Sequence, residues 1–208
     1  MNRLEQLGII PVNYAVLRSL YSDYRFPRNK IANLEQEGRV IRLKRGMYVV
    51  SPELNKQLLS PEVMANHIYG PSYVSMESAL RYYGLIPEQV YTIRSMTPNR
   101  SKKFENALGN FDYISVDEKY YPVGIRQQMI ESKAAFLIAS PEKALCDMIT
   151  MTPGLRIQSE KALNAYLEAD LRFDTSALKN MNAEIVRECR ETGRKKDILE
   201  RLLKILQS

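Results

Sequence analysis

One segment, residues 25 to 50, constrains the fold of this chain more than any other. It reads RFPRNKIANLEQEGRVIRLKRGMYVV. Pro27 suits the first turn of a helix, where a missing N–H costs nothing. Gly38 suits the position just past a helix end, where a positive φ is often needed. The segment therefore predicts a helix over residues 27–37, followed at once by a short β-hairpin.

The predicted helix has one apolar and one polar face. Ile31 and Leu34 share the apolar face, and Phe26 is expected to join them at the helix entry. The opposite face carries amide side chains spaced i, i+4 and i+7: Asn29, Asn33 and Gln36. Such an amide can form two hydrogen bonds with adenine in the DNA major groove. The other interpretation is an ordinary solvated face, as on any exposed helix.

The predicted hairpin has strands over residues 40–43 and 47–50, joined by a Lys44-Arg45-Gly46 turn. Gly46 can adopt the left-handed conformation that a short hairpin loop requires. Alternation places Arg42 and Lys44 together on the face opposite Leu43. A cationic hairpin directly after a polar-faced helix is typical of a winged helix-turn-helix, a DNA-binding fold, although lysines also occur on surface hairpins for solubility.

Positive charge is concentrated in this segment. Residues 25–46 hold seven basic and two acidic side chains, a net +5, while the whole chain has a formal net charge of +6. Such a concentration suits a phosphate backbone. We expect the cations to contact phosphates and the amides to contact bases. The predicted DNA-binding residues are Arg25, Arg28, Asn29, Lys30, Asn33, Gln36, Arg42, Lys44 and Arg45.

A second basic patch follows later in the chain, and no acidic residue occurs from position 93 to position 104. It is a possible second phosphate contact, and a solvated loop explains it equally well. The patch consists of Arg94, Arg100, Lys102 and Lys103.

The predicted N-terminal domain, residues 1–55, departs from a standard winged helix in one respect. Three helices normally precede the hairpin, but only five residues separate Tyr21, at the end of a helix capped by Asn13, from Pro27. The middle helix must therefore be absent or reduced to a turn over residues 22–25.

The remainder, residues 56–208, is expected to mix helices and strands up to residue 152 and to be helical over 158–208. Serines at 60, 75 and 140 are predicted N-caps of three helices. Alternating or apolar runs predict strands over 90–97 and 111–116 and a central strand over 134–139. The spacing of Leu178, Ile185 and Val186 predicts one helix. The fold class is therefore α+β, and the apolar terminal helix either packs on the domain or faces a partner.

Several features bear on chemistry and location. Two separate cysteines, the absence of a signal-peptide pattern and the absence of a long apolar run predict free thiols in a cytoplasmic, non-membrane protein. His67 is the sole histidine, no CxxC pair is present, and we expect no metal, cofactor or catalytic site. Carboxylates at 112, 117 and 118 beside Lys119 only weakly favour a metal-dependent nuclease.

Three segments together resemble AbiEi-type antitoxins, which act as transcriptional regulators of type IV toxin–antitoxin systems. They read LEQEGRVIRLKRGMYVV, PSYVSMESALRYYGLIPEQV and ASPEKALCDMI, and they occur in family order between about residues 27 and 150. The resemblance implies a winged helix that binds an operator at the protein's own promoter. It implies that residues 56–208 form an antitoxin domain opposing a nucleotidyltransferase-like toxin without a stable complex between the two proteins.

The sequence leaves three functions open. The first is a DNA-binding repressor that also serves as an antitoxin and is not an enzyme. The second is a nuclease that uses the winged helix to bind its substrate, and the third is a protein-interaction module. The residues do not fix the oligomeric state.

Overall fold

The structure of the protein is a computed structural model that describes residues 3–131 and 133–207. The α+β class is confirmed. An N-terminal three-stranded sheet with helices is followed by a six-stranded mixed sheet and a helical C-terminal region.

The N-terminal unit contains the predicted helix and hairpin, and its sheet has the order β1-β3-β2. Asn13 caps the first α-helix by accepting a hydrogen bond from the Val16 N–H. Gly38 and Gly46 have φ values of 68° and 77°, as their positions predict. The elements are a 3-10 helix (Glu5–Leu7), β1 (Val12–Asn13), α1 (Tyr14–Leu20), α2 (Pro27–Gln36), β2 (Val40–Lys44) and β3 (Met47–Val50).

The predicted reduction of a middle helix to a turn is confirmed, since only turns and bends, at residues 21–25, separate α1 from α2. The structure adds an element that was not predicted, because the 3-10 helix Glu5–Leu7 lies before β1. Three helical elements therefore precede the hairpin. A single 3-10 turn carries too little periodicity to be recognised from sequence.

The small sheet is buried on both faces. Val40 and Val50 pack on α1 and α2 in a core of their own. Leu43 and Val49, which point the other way, belong to the main core formed by the rest of the chain. A boundary at residue 55 would cut through this shared packing, and the division into two domains stays a prediction.

The six-stranded sheet has the order β6-β7-β5-β4-β9-β8, with β5 parallel to β7 and β4 parallel to β9. The three predicted strands are present, and β9 is an interior strand between β4 and β8. The strands are β4 (Tyr73–Val74), β5 (Thr92–Thr97), β6 (Lys102–Asn106), β7 (Gly109–Ser115), β8 (Ile125–Ile130) and β9 (Ala134–Ala139). The accompanying helices are α3 (Pro52–Asn55), α4 (Pro61–Ile68), α5 (Met76–Tyr82) and α6 (Pro141–Met151).

Two of the three predicted serine caps are confirmed by hydrogen bonds. The Ser60 hydroxyl accepts from the Val63 N–H at the start of α4, and the Ser140 hydroxyl accepts from the Lys143 N–H at the start of α6. Ser75 occupies the N-cap position of α5 but makes no capping bond. Its hydroxyl donates to the buried Asp147 carboxylate at 2.5 Å, a charge-assisted hydrogen bond.

The C-terminal region is helical, as predicted, but the expected single helix through Leu178 and Val186 is wrong. Asn182 caps a new helix by accepting from the Glu184 N–H, so the segment divides there. The elements are α7 (Glu160–Ala165), a π-helical turn (Tyr166–Asp170), a 3-10 helix (Thr175–Asn180), α8 (Ala183–Thr192) and α9 (Lys196–Gln207).

The terminal helix α9 packs on the domain. Its buried residues, Ile198, Leu199, Leu202 and Leu203, join the main core, so its apolar face needs no other protein to cover it. Within residues 3–131 and 133–207, no helix has the length and apolar character needed to cross a bilayer.

Candidate nucleic-acid interface

Helix α2 presents its polar face to solvent. Ile31 and Leu34 are 2% and 0% exposed and anchor the helix in the N-terminal core. Asn29, Asn33 and Gln36 are all exposed. In the described part of the chain, no side-chain hydrogen bond engages these three amides, so all their donors and acceptors are available to a ligand.

Phe26 lies on the polar side of α2 and not on the buried side. Its ring is 60% exposed, which contradicts the expectation that it joins Ile31 and Leu34. The reason is its place in the chain: Phe26 precedes the first residue of α2 and has a non-helical backbone, with φ −133° and ψ 77°, so it does not continue the apolar face of the helix. The residue is the N-cap of α2, and its side chain makes no capping hydrogen bond.

Cations surround the entry of α2. Arg25 and Arg28 are exposed, and among residues 3–131 and 133–207 neither pairs with a carboxylate. The Arg25 guanidinium lies 5.2 Å from the centre of the Phe26 ring, and the Lys30 ammonium lies 5.7 Å from that of Tyr24. The positive charge at this end of the helix is therefore free to meet a phosphate.

Arg42, by contrast, is already engaged. Its guanidinium donates to Glu35 on α2 at 2.9 Å and lies 5.9 Å from the centre of the Tyr48 ring. The hydrogen bond to Glu35 is the main cause that raises the pKa of Arg42. The residue therefore connects the hairpin to the helix and contributes less free positive charge than predicted.

Lys44 does not share a face with Arg42, so that expectation is wrong. The pairing of β2 with β3 shifts register between these two residues, and the Lys44 Nζ donates to the carbonyl oxygen of Ile68 at 2.6 Å. Burial is the main cause that lowers the pKa of Lys44, and nearby Lys102 adds to it. Arg45, next to Lys44 at the hairpin tip, is exposed.

The second basic patch lies beside the hairpin. Asn106 at the end of β6 donates to the Leu43 carbonyl, and Lys102 on the same strand lies near Lys44. Lys102 and Lys103 belong to β6, which is an edge strand of the six-stranded sheet, and not to a loop. Two of the four cations are paired, since Arg94 contacts Glu77 at 2.6 Å and Lys103 contacts Asp112 at 3.3 Å. Exposed Arg100 and Lys102 keep their charge available.

Sequence reasoning missed a buried polar cluster. Asp147 accepts hydrogen bonds from Tyr73 at 3.1 Å, Ser75 at 2.5 Å and Tyr120 at 2.7 Å, and it lies 3.3 Å from the Lys143 ammonium. These five side chains are at most 1% exposed. Burial, followed by the Asp147 charge, raises the pKa of Tyr73 and of Tyr120 well above the ordinary value.

This cluster joins two of the segments that carry the family resemblance. Tyr73 and Ser75 belong to PSYVSMESAL, while Lys143 and Asp147 belong to ASPEKALCDMI. The pairing explains these polar residue types, because buried charges need partners. The cluster is closed to solvent, so these residues hold α6 against the sheet and cannot bind a macromolecule. The signal available in the sequence was the pair Lys143 and Asp147, which are spaced i, i+4 within a largely apolar helix.

The carboxylates considered for a nuclease do not form a metal site in the structure. Asp112 pairs with Lys103, and Asp117 accepts from the backbone N–H of Lys119. No group of three or more potential metal ligands occurs in the described ranges. His67 Nδ1 lies 2.9 Å from the Val63 carbonyl oxygen within α4. Both cysteines are buried free thiols.

Comparison with known proteins adds a likeness of fold. No protein-family model matches the chain, and no curated protein matches it. Among solved structures, the chain is similar to the RV2827C protein from Mycobacterium tuberculosis, with a TM-score of 0.51 and 13% sequence identity. The match covers 94% of this chain and 76% of that one. The two proteins therefore share an α+β architecture over nearly all of the present chain.

Proposed function

We propose that this protein binds double-stranded DNA sequence-specifically through α2 and represses transcription from its own operator. One observation carries the proposal: Asn29, Asn33 and Gln36 form an exposed amide stripe, without side-chain partners among the described residues, on a helix whose entry is flanked by Arg25 and Arg28. The major groove of B-DNA is wide enough for an α-helix, and amide side chains pair with adenine edges there.

The position of α2 supports this use. Its buried side is fixed by Ile31 and Leu34, so the amide stripe is held on a rigid element. Phosphate contacts by Arg25, Arg28 and the hairpin-tip Arg45 would set the depth and register of the helix, while the amides discriminate between bases. Arg100 and Lys102 extend the cationic surface beyond the hairpin.

We further propose, from the family resemblance, that the protein is a cytoplasmic antitoxin of a type IV system that opposes a nucleotidyltransferase-like toxin. The two resembling segments outside the hairpin build the closed cluster around Asp147. The polar residues that these two segments place in the cluster therefore stabilise the fold of the region and, being buried, offer no contact to a toxin. We propose, from the same resemblance, that neutralisation of this toxin needs no stable complex between the two proteins.

DNA-binding, reporter, co-expression and cleavage assays test the proposal. Full-length protein titrated onto the DNA upstream of its own gene should bind more tightly than onto a shuffled sequence, and it should silence a reporter carrying that DNA. Co-expression with a nucleotidyltransferase encoded beside it should restore growth of cells that carry this toxin.

Equal affinity for both DNAs would reject the proposed role as a repressor. Continued growth arrest would reject the proposed role as an antitoxin. Cleavage of the DNA in the presence of Mg²⁺ or Mn²⁺ would favour the nuclease instead.

A further inference from the structure

We propose that the Phe26 ring recognises thymine by packing on its 5-methyl group, so that this protein prefers sites with an A·T pair at the entry of α2. The inference rests on the proposed DNA binding and adds a base contact that the amide stripe alone does not supply. It concerns a residue that belongs to neither hydrophobic core formed by residues 3–131 and 133–207.

The exposure of Phe26 is not a by-product of packing. The apolar side of α2 is complete without it, since Ile31 and Leu34 fill the N-terminal core. Phe26 instead holds the N-cap position, where a serine, threonine or asparagine would accept a hydrogen bond from the helix. The chain therefore forgoes a stabilising cap and presents a 60% exposed ring at the same place. A contact made outside the protein accounts for both features.

The ring lies at the N-terminal end of the helix that carries the amides. Phe26 directly precedes Pro27, the first residue of α2, and Asn29 lies in the first turn of that helix. All three of Phe26, Asn29 and Asn33 are exposed. A helix that lays Asn29 and Asn33 against base edges also brings Phe26 toward the floor of the same groove.

The chemistry of that groove identifies the ligand. Thymine is the base with a methyl group exposed in the major groove, and apolar side chains such as phenylalanine contact it. Its partner adenine is the base that asparagine reads with two hydrogen bonds. An aromatic ring beside two asparagines therefore suits A·T pairs. Arg25, 5.2 Å from the ring centre, would place its charge near the phosphate at the same step.

The test uses a binding site enriched by the full-length protein from a random double-stranded DNA library. Each thymine of that site is replaced in turn by deoxyuridine, which removes the methyl group and keeps the base pair. At one position the wild-type affinity should fall about fourfold, the equivalent of roughly 0.8 kcal/mol for one buried methyl-sized group. Phe26→Ser should bind the thymine and deoxyuridine sites equally, and its serine supplies a helix cap that protects folding.

Tyr91→Ala is the matched control, because Tyr91 is also a highly exposed aromatic residue but precedes β5 in the larger sheet. It should keep the wild-type response to deoxyuridine. The inference is overturned if the wild type responds to no substitution, or if Phe26→Ser keeps the wild-type response. If the library yields no bound DNA at all, the proposed function and this inference both fail. If DNA binds but the response to deoxyuridine is absent or independent of Phe26, only this inference fails.

Discussion

The Lys44 ammonium donates a hydrogen bond to the carbonyl oxygen of Ile68 at 2.6 Å, which fixes the tip of the hairpin to the end of α4. The lysine was expected to contact DNA phosphate together with Arg42 and Arg45. Arg42 is paired with Glu35, so only Arg45 of these three is both exposed and without a carboxylate partner in the described residues. The hairpin therefore supplies less free charge than its sequence indicates.

This difference separates the roles of two adjacent cations. Arg45→Ala should lower the magnitude of the slope of log K against log salt concentration by roughly one unit, because one phosphate contact is lost. Lys44→Ala should change that slope less and should lower the thermal midpoint, since the hairpin loses its bond to α4. Salt titrations by fluorescence anisotropy, with melting curves for both variants, measure these effects. Equal slopes for the two variants would refute the assignment.

The amide stripe predicts a specificity variant. Asn33→Ala should weaken binding to the preferred site by about 1–3 kcal/mol and should have much less effect on random DNA, because base contacts carry the sequence preference. Asn180→Ala is the matched control, since Asn180 is an exposed asparagine in the C-terminal region. Competition binding gives, for each variant, the ratio of its affinity for the preferred site to its affinity for random DNA. Equal losses on the two DNAs would show that this face reads no bases.

The cluster around Asp147 predicts a stability variant. Asp147→Ala leaves the Lys143 charge buried without its partner and should cost about 3–5 kcal/mol of unfolding free energy. Glu184→Ala removes one member of an exposed ion pair with Arg187 and should cost about 0–1 kcal/mol. Urea unfolding followed by circular dichroism compares the two variants. A similar, small loss for both would mean that the cluster does not stabilise the fold.

The buried phenols predict the response to alkali. The pKa values of Tyr73, Tyr113 and Tyr120 are raised above the ordinary value of 10.0, mainly by burial. A raised folded-state pKa gives stability that is complete below pH 10 and is lost as pH rises toward the folded value. Absorbance at 295 nm should therefore show these phenols ionising only as the protein unfolds. Reversible ionisation of all 13 tyrosines in folded protein would contradict this.

Local signals predicted much of the N-terminal unit. Pro27, Gly38 and Gly46 each fix a backbone conformation by their own chemistry, so the bounds of α2 and of the hairpin followed from residue type alone. The short strands were harder to find. Strand β4 has only two residues, and β8 reads IRQQMI without a clean alternation, so neither carries the period that identifies a strand.

Tertiary contacts decide the parts of the site that the sequence did not predict. Whether Lys44 meets solvent or Ile68 depends on a register shift and on a helix that begins 17 residues later. Ser75 stays at the N-cap position of α5, but its hydroxyl donates to Asp147, which lies 72 residues away in the chain. Neither the contact of Lys44 with Ile68 nor that of Ser75 with Asp147 can be predicted from a local sequence pattern. The amide stripe on α2 was predictable because it depends only on helical period and on burial of the opposite face.

The most direct test of the central claim is the salt dependence of DNA binding by an Arg25→Ala/Arg28→Ala variant of the full-length protein. Both residues are exposed at the entry of α2, so the fold should be unaffected. If α2 lies in the groove with both cations on phosphates, the variant should bind specific and random DNA more weakly. The magnitude of its slope of log K against log salt should fall by about 1.8, or roughly 0.9 for each contact. An unchanged affinity and slope would contradict the proposal that this helix holds DNA.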